Sequence, residues 1–316
     1  MSVLRPSRPR LLIGTAGLVL ICGAVMLGPP MLGPQPQTDP VHAALAPPAS
    51  KITSLHLADG RVLSSHDVDR TPVAWIVKGG RAVTEVASAE VVSVTRHRAW
   101  LGTDRYGRDL LQLMLTGGRL SIAIALLGGL VALLVGASLG IVAATGGALV
   151  DGLLMRGIDA LLAFPSLLLL ILAASVLEPG AGVIILLLGL TSWMGLARLV
   201  RGQVLSVRER PFVLSARVSG TPWYRMWTWH FLPEIRGPAG QDVALRMGDL
   251  VLAEATLSYL GLGLPATTPT WGLLVNEGHR VLYDAWWLAT LPGLAIAALV
   301  TSFALIADGL QDPSPT

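Results

Sequence analysis

Charge is scarce in this chain: only 14% of its 316 residues are Asp, Glu, Lys or Arg. Soluble domains carry about a quarter, because their surfaces face water. A soluble fold of this length would need more polar surface, so that class is excluded. Lysine occurs only at Lys51 and Lys78, and the formal net charge of +3 comes almost entirely from arginine. No basic stretch is interleaved with aromatics in a polar context, so no nucleic-acid partner is expected. A single cysteine, Cys22, excludes an internal disulfide and any multi-cysteine metal site. It sits inside the first apolar block and reads as a small filler; Ile21 before it does not suit a lipidation site. No Gly-rich loop ending in Lys-Ser or Lys-Thr occurs, so ATP binding by such a loop is not expected.

What the chain has is apolar length. Hydrophobic residues make up 53%, mean hydropathy is +0.64, and these residues are gathered into blocks. A membrane-spanning helix needs about 20 mainly apolar residues. Six segments qualify, at about 11–32, 120–145, 153–177, 183–200, 243–262 and 286–310. The first follows Arg5, Arg8 and Arg10, as a signal peptide would, with Ala44-Leu45-Ala46 downstream. Its apolar run is longer than a signal core and that site lies far beyond its end, so an uncleaved span is expected. Arginines in short loops stay cytoplasmic. Arg201, Arg208, Arg210, Arg217, Arg225 and Arg236 therefore put the loop between the fourth and fifth spans in the cytoplasm. Counting spans back and forward places both termini on the same side. The expected organisation is a tail and first span over 1–32, an extracytoplasmic segment over 33–99, and a membrane core over 100–316.

The extracytoplasmic segment has soluble character. Ile52–Leu57 and Arg61–Leu63 flank Asp59-Gly60, and Val73–Val77 and Arg81–Val86 flank Gly79-Gly80. Such pairs favour tight hairpins, so a small β-rich insertion with two hairpins is expected. His56 and His66 read as solvated surface residues; no metal site is expected.

The cytoplasmic loop, 201–240, carries the most information. Gly220 suits the left-handed end of one helix, and Thr221-Pro222 the N-cap and first position of another. Leu232-Pro233 marks the expected far end of that second helix. Helix, corner and short helix would form a projecting knob rich in Trp223, Tyr224 and Trp227, residues that anchor protein interfaces. An interfacial aromatic helix lying on lipid headgroups explains the same residues equally well.

The spacing resembles the cytoplasmic loop of permease subunits of bacterial ATP-binding-cassette importers: Glu-Ala-Ala, three residues, Gly, then a downstream Leu-Pro. Leu214, Ser215, Ala216 and Gly220 fall on that frame, followed by Leu232-Pro233; Leu214 replaces the glutamate. Further stretches resemble the dipeptide, oligopeptide and nickel permease branch. These are Leu101–Asp109, Gly118–Ser121, Asp151 with Met155-Arg156, Asp159 and Phe164-Pro165, Trp193 with Ala197-Arg198, Glu254–Gly263, Thr270-Trp271-Gly272 and Pro292-Gly293. The segment from Gly33 to Ala99 carries no such resemblance.

The resemblance implies an all-α polytopic fold of the type I importer permease class, with six transmembrane helices and a cytoplasmic coupling helix. It implies a non-enzymatic transport subunit that binds no cofactor, ATP and Mg belonging to two partner ATPase subunits. A second permease subunit, forming a heterodimer, and an extracytoplasmic substrate-binding protein are the other implied partners, with membrane lipid around them. ATPase coupling falls on Ser215, Ala216, Gly220, Thr221, Pro222, Trp223, Arg225, Trp227, Leu232 and Pro233. Glu254 lies in an apolar span, where a carboxylate is costly and usually faces protein or a water-filled path; with Ser258 it is the candidate for the translocation path or an inter-subunit contact. Asp308, at the end of the sixth span, reads as capping or topological. Gly136 and Gly140, four apart, suit close helix packing. An ion-coupled secondary transporter or channel is the rival class. The second, third and fourth spans hold no central acid, lysine or histidine, which disfavours a proton relay. No catalytic cluster supports a membrane enzyme.

Overall fold

Apolar runs too long for a soluble helix become long helices in the computed structural model, which describes residues 8–32, 39–79, 82–178, 180–265 and 267–310. Arg5 and the Gly80-Arg81 part of the second expected hairpin lie outside the described residues. The chain forms two compact units. One comprises Met1–Ile21, Ser121–Pro265 and Ile296–Thr316; the other comprises Cys22–Leu120 and Ala266–Ala295. Helices α1 (Arg8–Leu32), α2 (Leu110–Thr145) and α10 (Trp287–Leu310) run through both.

In the first unit, α2 is followed by α3 (Gly147–Leu162), α4 (Ser166–Val176) and α5 (Ala181–Arg208). Then come α6 (Pro211–Val218), α7 (Trp223–Met226) and α8 (Leu232–Tyr259). Small residues set the α2–α5 contact. A Cβ at Gly136 would fall 2.8 Å from the Trp193 carbonyl, and one at Gly140 would meet Ala197 O at 2.5 Å. The helices thus approach backbone to backbone at the expected pair. The start of α1 lies against α10: a Cβ at Gly14 would meet Ser302 O at 2.8 Å, and Arg10 Nη1 pairs with Asp308 Oδ2 at 3.0 Å.

Two expectations change. The third span is not one helix but α3 and α4, bent by 81°. Phe164-Pro165 lies at the break, and proline disfavours helical backbone at the residue before it. Among the described residues, four helices (α1, α2, α5 and α10) are long and apolar enough to cross a membrane, or five spans if the bent pair is one. The fifth expected span, 243–262, falls largely in α8, which is long enough but carries Glu234, Arg236 and Asp242 ahead of that span and Arg246, Asp249 and Glu254 within it. Several of these charges are settled locally. Arg246 grips Asp242 one turn away and donates to Ser192 O at 2.6 Å, and Glu254 accepts from two serines.

In the second unit, six strands stand between α1 and α2 among the described residues: β1 (Ser50–Leu57), β2 (Val62–Ser65), β3 (Asp67–Arg70), β4 (Ala74–Gly79), β5 (Ala82–Ala87) and β6 (Val91–Ala99). They form two antiparallel sheets, ordered β2-β1-β6 and β3-β4-β5. Gly60, at φ 85°, closes the β1–β2 turn. Leu55, Trp75 and Val77 are buried together between strands of both sheets. Asp39 and His42 stitch the sheets to each other. Asp39 Oδ2 accepts from the Ser64 amide of β2 and lies 2.8 Å from His42 Nδ1, while His42 Nε2 lies 2.9 Å from Thr84 Oγ1 of β5.

Pro29 and Pro30 near the end of α1 cannot donate to the carbonyls of Val25 and Met26. Arg119 supplies the missing donors, Nε to Val25 O at 2.9 Å and Nη2 to Met26 O at 2.5 Å. The Leu101–Asp109 loop folds around Asp104, which is buried. Its Oδ1 accepts from the amides of Tyr106 and Arg108, both at 2.8 Å, and its Oδ2 accepts from Arg108 Nε at 2.6 Å. Arg108 Nη2 also reaches Glu277 Oε2 at 3.4 Å, on α9 (Trp271–His279). Trp271 Nε1 donates to Met114 O at 2.8 Å, against Gly118. Of the stretches singled out in the sequence, Leu101–Asp109, Gly118 with Arg119, and Thr270–Gly272 are therefore packed within the second unit.

Candidate functional site

The turn that reverses the chain below α5 is fixed by backbone chemistry. Helix α6 starts at Pro211, whose fixed φ suits a first helical position. It ends in a Schellman motif: the Gly220 amide donates to Arg217 O and the Thr221 amide to Ala216 O, both at 3.1 Å. Gly220 takes φ 73°, a region that side-chain-bearing residues avoid. The expected corner at Gly220 is therefore present. The next helix starts one residue later than Thr221-Pro222 suggested, since the Pro222 carbonyl accepts from the Arg225 and Met226 amides.

The far end differs more. Leu232-Pro233 does not close the second helix. Trp227–Phe231 form a π-helical turn, the Leu232 amide reaching back to Trp227 O, and α8 continues directly with Pro233 in its first turn. Pro233 has no amide proton to lose, and the widened turn brings the chain past it without a break. The short helix is thus an extension of α8, not a separate element.

What makes this corner a body rather than a loop is its inner face. Val213 of α6, Met226 of α7 and Phe231 of the π turn are buried with Val204 and Val207 of α5, Ile235 of α8 and Ala144 of α2. Each of these side chains larger than alanine contributes roughly 1.5–3 kcal/mol. Trp227 and Phe231 rings lie 5.0 Å apart, and Arg210 Nη1 bonds Glu234 Oε2 at 2.9 Å across the base. Arg201 holds Asp151 and Arg198 holds Asp159, fixing α3 to α5 just above.

The outer face is apolar and open. Trp229 is 70% exposed and Val218 90% exposed, with Leu214 and Phe212 also exposed. Leu214, in the place of the missing glutamate, thus belongs to a greasy surface and not to an ion pair. Arg225 lies 5.9 Å over the Trp229 ring. Of the expected coupling residues, Ser215, Gly220, Pro222, Arg225, Leu232 and Pro233 are exposed, while Ala216, Thr221 and Trp227 are half-buried. The side chain of Trp223 lies outside the described part of the structure. The sequence does not mark Trp229 and Val218 as an exposed face, because only depth, not residue type, separates them from more buried neighbours such as Trp227.

The second group of candidates lies in the same unit. Glu254 is 1% exposed, its Oε1 accepting from Ser258 Oγ at 2.7 Å and its Oε2 from Ser121 Oγ at 3.1 Å. Glu254 and Ser258 are hydrogen-bonded to each other inside the helix packing, with Ser121 as a third member. Asp249, one turn earlier on α8, went unremarked in the sequence.

Comparison with known families bears on the corner directly. The profile of the binding-protein-dependent transport system inner membrane component matches residues 136–313. That stretch exceeds half the chain and holds the whole knob, α8 and all of α10. The chain belongs to this family. Relatives agree: the dipeptide transport system permease protein of Bacillus subtilis is 36% identical over 214 residues, 67% of either chain. A putative peptide transport system permease protein of Brucella suis is 37% identical over 238 residues, 75% of this chain and 79% of the relative. The oligopeptide transport system permease protein of Haemophilus influenzae is 33% identical over 213 residues, 67% and 68%. This permease is therefore a multi-pass inner-membrane protein of the peptide-importer branch, as its resemblances indicated. Its β-sheet segment lies outside the residues matched by the family profile.

Proposed function

We propose that this permease forms half of the translocation path of an ATP-driven importer for peptides or a related small solute, nickel complexes included. It crosses the membrane six times, α3 and α4 together and α8 each serving as one span, with both termini cytoplasmic and the six strands outside. Two ATPase subunits engage the knob, a second permease completes the path, and a binding protein delivers cargo to the outer face. The chain binds no cofactor itself and catalyses no reaction.

One observation carries the mechanism: the knob shares a single buried core with the ends of α5 and α8. A push on the exposed Trp229 and Val218 face is transmitted to two membrane helices with no flexible joint between them. ATPase closure would tilt α5 and α8 as a body and switch access from one side to the other, the two-state element such a machine requires. The exposed apolar face gives the ATPase a surface of the kind that aromatic hot spots favour. Ser215, Ala216 and Gly220 shape the corner, Thr221, Pro222, Trp223 and Arg225 lead out of it, and Trp227, Leu232 and Pro233 join it to α8.

Affinity purification of the tagged permease from its native membrane is the first test. A second permease and two ATPase chains should accompany it, and the assembly in vesicles should import peptide only with ATP and binding protein. A chain that purifies alone and transports along an ion gradient without ATP would refute the proposal. In the assembled complex, Ala216→Asp with Gly220→Pro should sever ATP hydrolysis from uptake; unchanged coupling would remove the lever.

A further inference from the structure

Along α8, Leu245, Asp249, Leu252 and Tyr259 recur at helical spacing and are exposed, while Leu250, Val251, Glu254 and Leu257 are buried. Asp249 makes no hydrogen bond or ion pair among the described residues. It is ten residues from the Tyr259 end of α8 and seventeen from Leu232, about 15 Å and about 25 Å along the axis. A carboxylate at that depth is disfavoured against lipid and belongs beside protein or water.

Asp249 opens onto a cavity of about 400 Å³, a volume within the range of small-molecule sites. The α3–α4 break forms one wall, through Leu162, Ser166 and Leu170, and Thr191, Ser192 and Arg246 line another. The charge balance is one-sided. Arg246 is neutralised by Asp242 and held by the Ser192 carbonyl. Asp249 has no such counter-ion, so the cavity holds one unbalanced negative charge. Hydroxyl oxygens of Ser166 and Thr191 are further acceptors, Thr191 already donating to the Leu187 carbonyl at 2.9 Å. Acceptors around an uncompensated carboxylate suit a ligand rich in N–H donors and carrying positive charge.

We infer that this cavity is a cargo subsite in the permease's half of the path, in which Asp249 accepts the α-ammonium group of a small peptide. The inference rests on the importer reading and names the part of the cargo that this chain touches. The carboxylate gives a passing peptide a transient foothold inside the membrane, and its loss slows or misdirects entry of cargo with a free amino terminus.

The test uses the complete importer in vesicles, with Cys22→Ser and Thr191→Cys placing the only cysteine of this chain in the cavity wall. A small methanethiosulfonate reagent should modify Cys at that position, and millimolar dipeptide should slow the reaction about tenfold, a factor equal to about 1.4 kcal/mol of selective occupancy. The N-acetylated dipeptide should protect poorly. Asp249→Asn should abolish protection and Asp249→Glu should retain it, with assembly of each variant checked by co-purification of the second permease. Equal protection by free and acetylated peptide would overturn the inference. So would a position reactive in the isolated chain but closed in the assembled importer, which would make Asp249 a contact of the second permease. Because ATP-dependent uptake is measured in the same vesicles, uptake without protection refutes the subsite alone, whereas absent uptake refutes the importer reading.

Discussion

Replacing Gly220 isolates the geometry of the corner from its contacts. The backbone there sits at φ 73°, and a Cβ added at this position would meet nothing within 4 Å. Any loss on substitution is therefore conformational, not a clash. A left-handed residue other than glycine costs about 1–2 kcal/mol, with asparagine penalised least. That range shifts the equilibrium between cornered and straightened chain by about 5- to 30-fold. A β-branched residue, stiffer at Cβ, suffers more. The assay is peptide imported per ATP hydrolysed by the reconstituted importer, with tryptic cleavage after Arg217 as a direct report on the corner. The expected order of coupling is glycine, asparagine, alanine, valine, with cleavage rising in the same order. Full coupling in Gly220→Val, or Gly220→Asn failing as badly as valine, would refute the claim that left-handed backbone at this one residue sets the corner.

Phe231→Ala should loosen the same knob from within: removing a 2% exposed ring from its core costs about 3–5 kcal/mol. Faster trypsin cleavage across 208–225 should follow, and unchanged cleavage would show that the shared core does not hold the corner. Glu254→Ala withdraws the acceptor used by Ser121 and Ser258 and should cost about 1–3 kcal/mol in detergent melting. Glu254→Gln, which keeps an acceptor oxygen, should cost less; equal losses would count against a hydrogen-bonded structural role. Burial raises the Glu277 carboxyl above its ordinary range, with nearby Arg108 opposing and Asp104 adding to the rise. An acid with a raised folded value binds its proton more tightly when folded, so its contribution is present at low pH and declines as pH rises from about 4.3 through the raised value. Hydrogen exchange of the 101–109 loop should accelerate over that window and Glu277→Gln should flatten the change; a slope of opposite sign would contradict the burial argument.

Much of the fold was legible because apolar length and glycine position are local signals. The four long apolar helices, the Gly136–Gly140 contact and the Gly220 corner follow from residue type and spacing alone. The break between α3 and α4 was written in Phe164-Pro165, but a hydropathy window averages over a two-residue signal. Helix α8 is the opposite case. Its charges depress its hydropathy, and only three-dimensional partners such as Asp242 for Arg246 and two serines for Glu254 reveal them as tolerable. The π turn was illegible because Leu232-Pro233 marks a helix stop as readily as a first turn. For Asp249, what matters is that no partner answers it among the described residues. The β6 strand was missed for a simpler reason: Arg96, His97 and Arg98 interrupt its alternation, and pairing with β1 supplies the order its own pattern lacks.

The π turn at Trp227–Phe231 has a bearing on how such permeases diverge. An α-helix that gains one residue can absorb it as a π turn, and losing one there returns it to regular pitch without a break. Each residue turns a helix by about 100°. A deletion elsewhere in α8 would therefore rotate the knob against the core it shares with α5. A one-codon deletion within 227–231 that spares Trp229 instead returns the turn to α pitch and leaves both flanks facing as before. The π turn thus marks a place where chain length can change by one residue while the knob keeps its core.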